Sequence, residues 1–381
     1  MRLSKARKRA NSRAEYAIIA RQPMNSKQRV LTTLNHQIPD RMPLDIWTSD
    51  PIKTSLCRYY GVDDFEDVLQ CLGIDIRSVW PAEPLWKLVD PNKGIREDPW
   101  GIRWKPLAGM LQPISHPLAE TRSVSDVEAY CPPAVSRFDF DGLRKQCAKW
   151  RQYALILRDP GPYSTCAMRI AMFLRGMEQF MLDLSMNPDL ALAIIAKVEA
   201  YFLELNRHIL EAVGALVDIY FIADDTGTES SLMMSPAMIR QFVHPSLEKF
   251  VRQGHAYGLK VMYHNEGAIR PLIPDYVKMG IDILNPVQVL LPGMDPASLK
   301  ADFGDKLCFH GGMELKILSP VTGGTPERVS AEVTRLKETL GQGGGYILST
   351  VNKITPDAPL EQTVANIVAM YETAHAVGTY R

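Results

Sequence analysis

The sequence predicts an α/β fold of the (β/α)8 TIM-barrel class, a single barrel domain over residues 25–381, and three observations carry that expectation. Eight short apolar segments recur along the chain, helix-period stretches separate most of them, and a polar residue follows nearly every segment. Strands alternating with helices of this length make parallel βαβ units, and eight such units close into a barrel more readily than into an open sheet.

Residues 1–24 carry Arg2, Lys5, Arg7, Lys8, Arg9, Arg13 and Arg21 against the single acid Glu15. They lack the apolar stretch of a secretory signal and read as a flexible or partner-contacting basic extension, with organelle targeting as the alternative. Asn25-Ser26-Lys27-Gln28 then reads as a capped helix start, with Val30, Leu31 and Leu34 as its apolar stripe. The expected strands are Pro43–Trp47, Ile74–Trp80, Ala154–Leu157, Val217–Ala223, Leu259–His264, Ile281–Leu284, Lys306–His310 and Tyr346–Ser349. Helices are expected over Pro188–Gly214 and Pro236–Gly258, the second with Ser235 as N-cap, Pro236 in the first turn and Gly258 as its stop. Residues 82–150, rich in Pro and Trp, break the alternation. They read as an insertion after strand 2 that caps the barrel mouth or meets a partner through Trp86, Trp100 and Trp104. Gly343-Gly344-Gly345 precedes a strand instead of joining strand to helix, so it makes no nucleotide-binding loop.

Composition narrows the function. Forty-three basic residues balance 43 acidic ones, which argues against nucleic acid as the main ligand. The six cysteines form no CxxC pair, so neither a disulfide framework nor a zinc ribbon is expected, and reduced thiols fit a cytoplasmic enzyme. No apolar run approaches the ~20 residues of a membrane span. A homodimer is compatible with the sequence, which does not set the quaternary state.

In barrels of this class, chemistry sits at the C-terminal ends of the strands. Reading those ends in order gives Asp45 and Trp47, Arg158, Asp224 and Asp225, His264 and Glu266, Asn285 and Gln288, His310, and Asn352. His264 and Glu266, two residues apart just past strand 5, make a zinc-type ligand pair with room for a substrate atom. The third ligand would come from Asp225, Asp224 or Asn352; the alternative is a hydrogen-bonding pair that holds substrate without a metal. Glu266, Asp224 and Asp225 are also the candidate catalytic acids. Adjacent residues leaving a strand point to opposite sides, so one aspartate should face the mouth while the other serves structure. Asp45, Trp47, Arg158, Asn285, Gln288, His310 and Asn352 are expected to bind substrate. Arg158 could instead pair with a nearby acid, and His310 could make a structural hydrogen bond.

Several stretches together resemble the uroporphyrinogen decarboxylase superfamily, including its corrinoid-linked methyltransferase branch. They are Asn25–Trp47, DPWGIRW (Asp98–Trp104), FLRGMEQFMLDLSMNPDL (Phe173–Leu190), ADDTGTESSLMMSPAMIRQF (Ala223–Phe242), His264–Gln288 and GGGYILSTVNKITPDAP (Gly343–Pro359). The resemblance implies a (β/α)8 barrel. The decarboxylases carry an Arg-rich segment after the first strand, whereas Leu44 to Ser49 contains no arginine, which disfavours a polycarboxylate macrocycle as substrate. The zinc-dependent methyltransferases use a His-x-Cys pair after strand 5 and a Cys after strand 8. Here His264 matches, Glu266 replaces the first cysteine, and Asn352 falls near the second. Carboxylate for thiolate makes a harder site, suited to oxygen more than sulfur. The resemblance therefore implies demethylation of a small, methoxylated, aromatic substrate, with zinc at the site and transfer of the methyl group to a corrinoid. No cobalamin-binding Asp-x-His-x-x-Gly sequence occurs in the chain, so the corrinoid would come on a separate protein. A cofactor-free decarboxylase or lyase acting on another substrate is the alternative.

Overall fold

The computed structural model describes residues 23–82, 86–107, 110–158, 165–356 and 359–380, so the expected basic extension lies almost wholly outside the described residues. The first helix, α1 (Ser26–Leu34), starts as its sequence dictates. The Asn25 side chain accepts from Gln28 N–H while the Gln28 side chain takes the N-cap N–H, a reciprocal cap. Helices α2 (Asp50–Tyr60) and α3 (Phe65–Cys71) follow and lead to β1 (Ile76–Val79).

After β1 the chain leaves the barrel pattern. Strands β2 (Lys87–Asp90), β3 (Ile95–Glu97), β4 (Arg103–Leu107) and β5 (Met110–Pro113) form a separate antiparallel sheet, followed by α4 (Val124–Ala129) and α5 (Phe140–Lys149). Asp98 organises the turn between β3 and β4: its Oδ1 accepts from Ile102 N–H (2.9 Å) and its Oδ2 from Trp104 Nε1–H (2.6 Å).

Parallel βα units then follow in order. They are β6 (Ala154–Leu157) with α6 (Met168–Arg175), α7 (Met177–Met186) and α8 (Pro188–Val213), then β7 (Ile219–Asp224) with α9 (Pro236–Phe242) and α10 (His244–Ala256). Next come β8 (Lys260–Asn265) with α11 (Ile273–Met279), β9 (Ile283–Val287) with α12 (Pro296–Phe303), and β10 (Cys308–Met313) with α13 (Leu315–Leu318) and α14 (Pro326–Glu338). The chain closes with β11 (Tyr346–Thr350) and α15 (Leu360–Val377). The expected single helix over Pro236–Gly258 is corrected to two, because Pro245 has no N–H to offer the carbonyl of Gln241 and the helix breaks at Val243.

The parallel sheet runs β1-β6-β7-β8-β9-β10-β11, and the expected first strand stands between its two edges. Leu348 N donates to Pro43 O (3.0 Å) and Asp45 N to Leu348 O (2.9 Å), while Asp75 N donates to Leu44 O (2.9 Å). Those bonds close the (β/α)8 ring. This stave pairs only through isolated bridges, since Pro43 lacks an N–H and Leu44 gives its own to the Asp75 carboxylate (3.0 Å).

Strands β6 to β11 are almost wholly buried, because one face looks into the barrel and the other onto the helices. Trp47, Ile156, Phe221, Met262, Ile283 and Ile347 fill the interior together with Val30 and Leu34 of α1. Helix α1 is tied to chain that enters the strands: Lys27 pairs with Asp218 (2.9 Å) and Arg29 with Asp75 (2.7 Å). It therefore plugs the N-terminal end of the barrel and leaves the C-terminal end as the mouth.

The expectation that Trp86, Trp100 and Trp104 meet a partner is corrected for the last two. Trp100 is buried against Tyr201 of α8 (4.6 Å between ring centres), and Trp104 is buried against Phe173 of α6 (5.2 Å). Trp86 is half-buried and packs on Trp104. These rings fasten the small sheet to the barrel, where large aromatic area stabilises most. Among the described residues, no helix is long and apolar enough to cross a membrane.

Candidate functional site

Two loops bring the acids of the mouth together. Those after β7 and β8 press so closely that a Cβ on Gly227 would stand 2.4 Å from Glu266 O, and one on Gly267, at φ +105°, would stand 2.5 Å from the Gly227 backbone. Only glycine fits such an approach. Asn265 locks the crossing, accepting from Thr226 N–H (2.8 Å) and donating to Thr226 Oγ1 (2.8 Å) and Tyr276 Oη (2.6 Å).

The result is a cluster of Asp225, His264 and Glu266 whose ligand atoms all lie within 4.8 Å of one another. His264 Nε2 is 3.7 Å from Asp225 Oδ1 and 3.5 Å from Glu266 Oε1. Each member is held from behind. His264 Nδ1 meets Asn285 Oδ1 at 2.6 Å, Glu266 Oε1 accepts from Asn352 Nδ2 at 2.7 Å, and Asp225 pairs with Arg169 of α6 at 3.2 Å. Gln288 accepts from Gly267 N–H (2.6 Å) and so holds the loop that carries Glu266.

This donor set fits a divalent metal. It offers one imidazole nitrogen and two carboxylates, the three-ligand pattern that leaves a coordination position open. Asp225 Oδ1 is a buried atom without a hydrogen-bond partner among the described residues, as expected of an oxygen turned toward a cation. Second partners on His264 and Glu266 are the usual companions of metal ligands.

Asp224 and Asp225 do go to different places. Asp224 is only 3% exposed, and burial pushes its carboxyl up to about 8 although Arg169 and the N–H groups of Arg169 and Met168 pull the other way. It lies outside the ligand cluster.

The substrate-binding expectations divide. Asp45, Trp47, His310 and Asn285 are buried and bonded mainly to one another: Trp47 Nε1–H and His310 Nε2 both meet Asp45 Oδ2 (2.8 and 3.0 Å), and Asn285 Nδ2 meets His310 Nδ1 (2.7 Å). Burial alone would raise the Asp45 carboxyl, but His310 and the Arg158 cation hold it below the usual carboxylate range. Arg158 lies over the Trp47 ring at 3.9 Å. Both line a cavity of about 380 Å³ with Thr48, Phe65, Trp150 and Lys353, a volume suited to a small ligand. Gln288 and Asn352 support backbone and ligand as described.

Two residues beside the acids were not singled out in the sequence, Arg169 and Cys166. A lone arginine inside the apolar run Cys166–Phe173 was the available signal, since a cation there needs a buried partner. Burial disfavours the thiolate form of the two cysteines nearest the barrel interior. Burial pushes both Cys166, near Asp224, and Cys308, within β10, up to about 12.

Comparison with known proteins agrees with this architecture. A curated uroporphyrinogen decarboxylase from Pseudoalteromonas translucida is 36% identical over 73 residues, a match spanning 19% of this chain and 20% of that protein's length. A solved methyltransferase from Methanosarcina mazei superposes with a TM-score of 0.63 at 18% identity, covering 92% of this chain and 99% of the other, a likeness of fold. The model of the uroporphyrinogen decarboxylase (URO-D) family matches residues 155–377, from β6 through α15 and across every member of the acid–histidine cluster. The chain belongs to the uroporphyrinogen decarboxylase family.

Proposed function

We propose that this protein is a methyltransferase that removes a methyl group from a small methoxylated aromatic substrate and delivers it to a corrinoid carried by a separate protein. The observation that carries the reading is the cluster of Asp225, His264 and Glu266 at the mouth, with carboxylates where a thiolate site would bind sulfur. Asp225, His264 Nε2 and Glu266 would hold a divalent metal, zinc by its donor set, and such an ion supplies a Lewis acid for the ether oxygen. The chain's own residues do the rest. Trp47, whose ring stands 5.8 Å from that of His264, and Arg158 form a flat, cationic wall of the cavity, against which an aromatic ring would be held. Arg169, beside Asp225, adds a fixed positive charge that favours an oxyanion as the methyl group departs.

An acceptor from outside is part of this reading, since burial disfavours the thiolate at Cys166 and Cys308. The fold of the Methanosarcina mazei methyltransferase is compatible with this reading. A second reading, decarboxylation, is favoured by Asp224, a carboxylic acid kept protonated near neutral pH beside the cluster and able to serve as a proton donor. Methoxyaromatics are incubated with the purified protein, with and without a reduced corrinoid protein, and demethylated product and released CO2 are measured. Product only with the corrinoid protein is expected. Demethylation without it, or CO2 release, overturns the proposal, the latter in favour of the second reading.

A further inference from the structure

We infer that Asp45, His310 and Asn285 are positioning residues that form a directional hydrogen-bond relay, fixing His264 in its Nδ1–H tautomer so that the Nε2 lone pair faces Asp225 and Glu266. The inference deepens the proposed metal site and rests on that reading for its purpose, though not for its geometry.

The direction is set at Asp45. An ionised carboxylate only accepts hydrogen bonds, and Oδ2 already receives Trp47 Nε1–H at 2.8 Å. His310 Nε2, 3.0 Å from the same oxygen, must therefore carry a proton. In a neutral imidazole the other nitrogen is then an acceptor, so His310 Nδ1 takes an N–H from Asn285 Nδ2 at 2.7 Å. With its NH2 committed, the Asn285 amide turns Oδ1 toward His264, where it accepts from Nδ1–H at 2.6 Å. With His310 neutral, reversing any one link sets lone pair against lone pair or N–H against N–H. Every member but His264 has 5% exposure or less, and His264 has 8%, so water does not offer an easy substitute. The Trp47 ring backs both imidazoles, 5.5 Å from His310 and 5.8 Å from His264, and keeps them from turning.

Among the described residues His310 bonds to Asn285 and Asp45 and makes no hydrogen bond or ion pair with His264, Asp225 or Glu266, which separates a relay from direct support. His310→Phe keeps a ring of similar size and deletes both of its hydrogen bonds. Asp45→Asn is a second perturbation at the far end, since an amide can present an NH2 and permit the reversed His310 tautomer. Asn285→Asp is the rescue, because a carboxylate still accepts from His264 Nδ1–H. Two readouts are taken on the full chain: histidine tautomers of the metal-free protein by 15N-labelled NMR, and zinc affinity by competition with a chelator. Thermal unfolding verifies that each variant is folded.

The wild type and Asn285→Asp should show a single Nδ1–H tautomer at His264. His310→Phe and Asp45→Asn should show mixed tautomers and bind zinc about 10–100-fold more weakly, the usual loss when an outer partner is removed. A His264 that stays wholly Nδ1–H in both of these variants overturns the relay. If the tautomers shift while the wild type binds no zinc, the relay stands and the metal reading falls.

Discussion

Replacing each of the neighbouring aspartates by asparagine should give opposite results, and Asp224 gives the more demanding test. In the folded protein burial holds its carboxyl up to about 8, whereas in the unfolded chain it titrates near ~3.9. A folded value above the unfolded one stabilises fully below about pH 4. That stabilisation is lost as the pH rises, until the folded group itself ionises near 8. Each pH unit in that window costs the wild type about 1.4 kcal/mol. Asparagine does not titrate, and its shape suits the site: the amide oxygen can take the N–H groups of Met168 and Arg169, and its NH2 can fill the side where Oδ1 has no partner. Asp224→Asn should therefore match the wild type near pH 4 and exceed it by up to about 4 kcal/mol at pH 7. Urea denaturation at pH 5, 6, 7 and 8, with a chelator present, measures the difference, and titrations common to both proteins cancel. A difference that is flat with pH, or that favours the wild type as pH rises, would refute the reasoning, since it would mean that Asp224 is ionised and paired with Arg169. Asp225→Asn removes a member of the ligand cluster instead, and should abolish turnover and zinc binding at every pH.

Other consequences are open to direct measurement. Zinc at a hundredfold excess over its Kd should stabilise the wild type by about 2.7 kcal/mol and leave His264→Ala unchanged, read by thermal unfolding with and without the metal. Arg175→Met should destabilise by about 3–5 kcal/mol in urea, because buried Asp183 and the carbonyls of Leu118, Ala119 and Thr121 all lose the same guanidinium. Iodoacetamide on the native protein should label exposed Cys71 and Cys131 and spare Cys147, Cys166 and Cys308, as mass spectrometry of the digested protein would show.

Much of the barrel was readable because its strands are unbroken apolar runs buried on two faces, a pattern that survives without any partner in view. The first stave was readable from Pro43–Trp47, although its backbone pairs too sparsely to make a ladder. The antiparallel sheet was not anticipated, for its strands are short, largely exposed and interrupted by Pro106 and Pro113, and resemble loop in composition. At the mouth, position along the strands told which polar residues gather but not which of them bond to one another. Asp45, His310 and Asn285 have the chemistry of substrate contacts, and only their mutual distances show a connected set. Arg169 comes from a helix, so the positions of the strand ends do not point to it.

The plug formed by α1 has a practical consequence for handling the molecule. Val30 and Leu34 seal the end of the barrel opposite the mouth, and Met24, just ahead of them, is fixed there by Asp40 and Arg29. An affinity tag or surface linkage placed before Met24 would thus leave from the far pole, with the mouth presented outward. A protein immobilised in that orientation would offer its open end to the proposed carrier protein as freely as to a small solute. The reverse geometry, attachment through the loops around Glu229 or Lys353, would set the two apart by shutting out the carrier first.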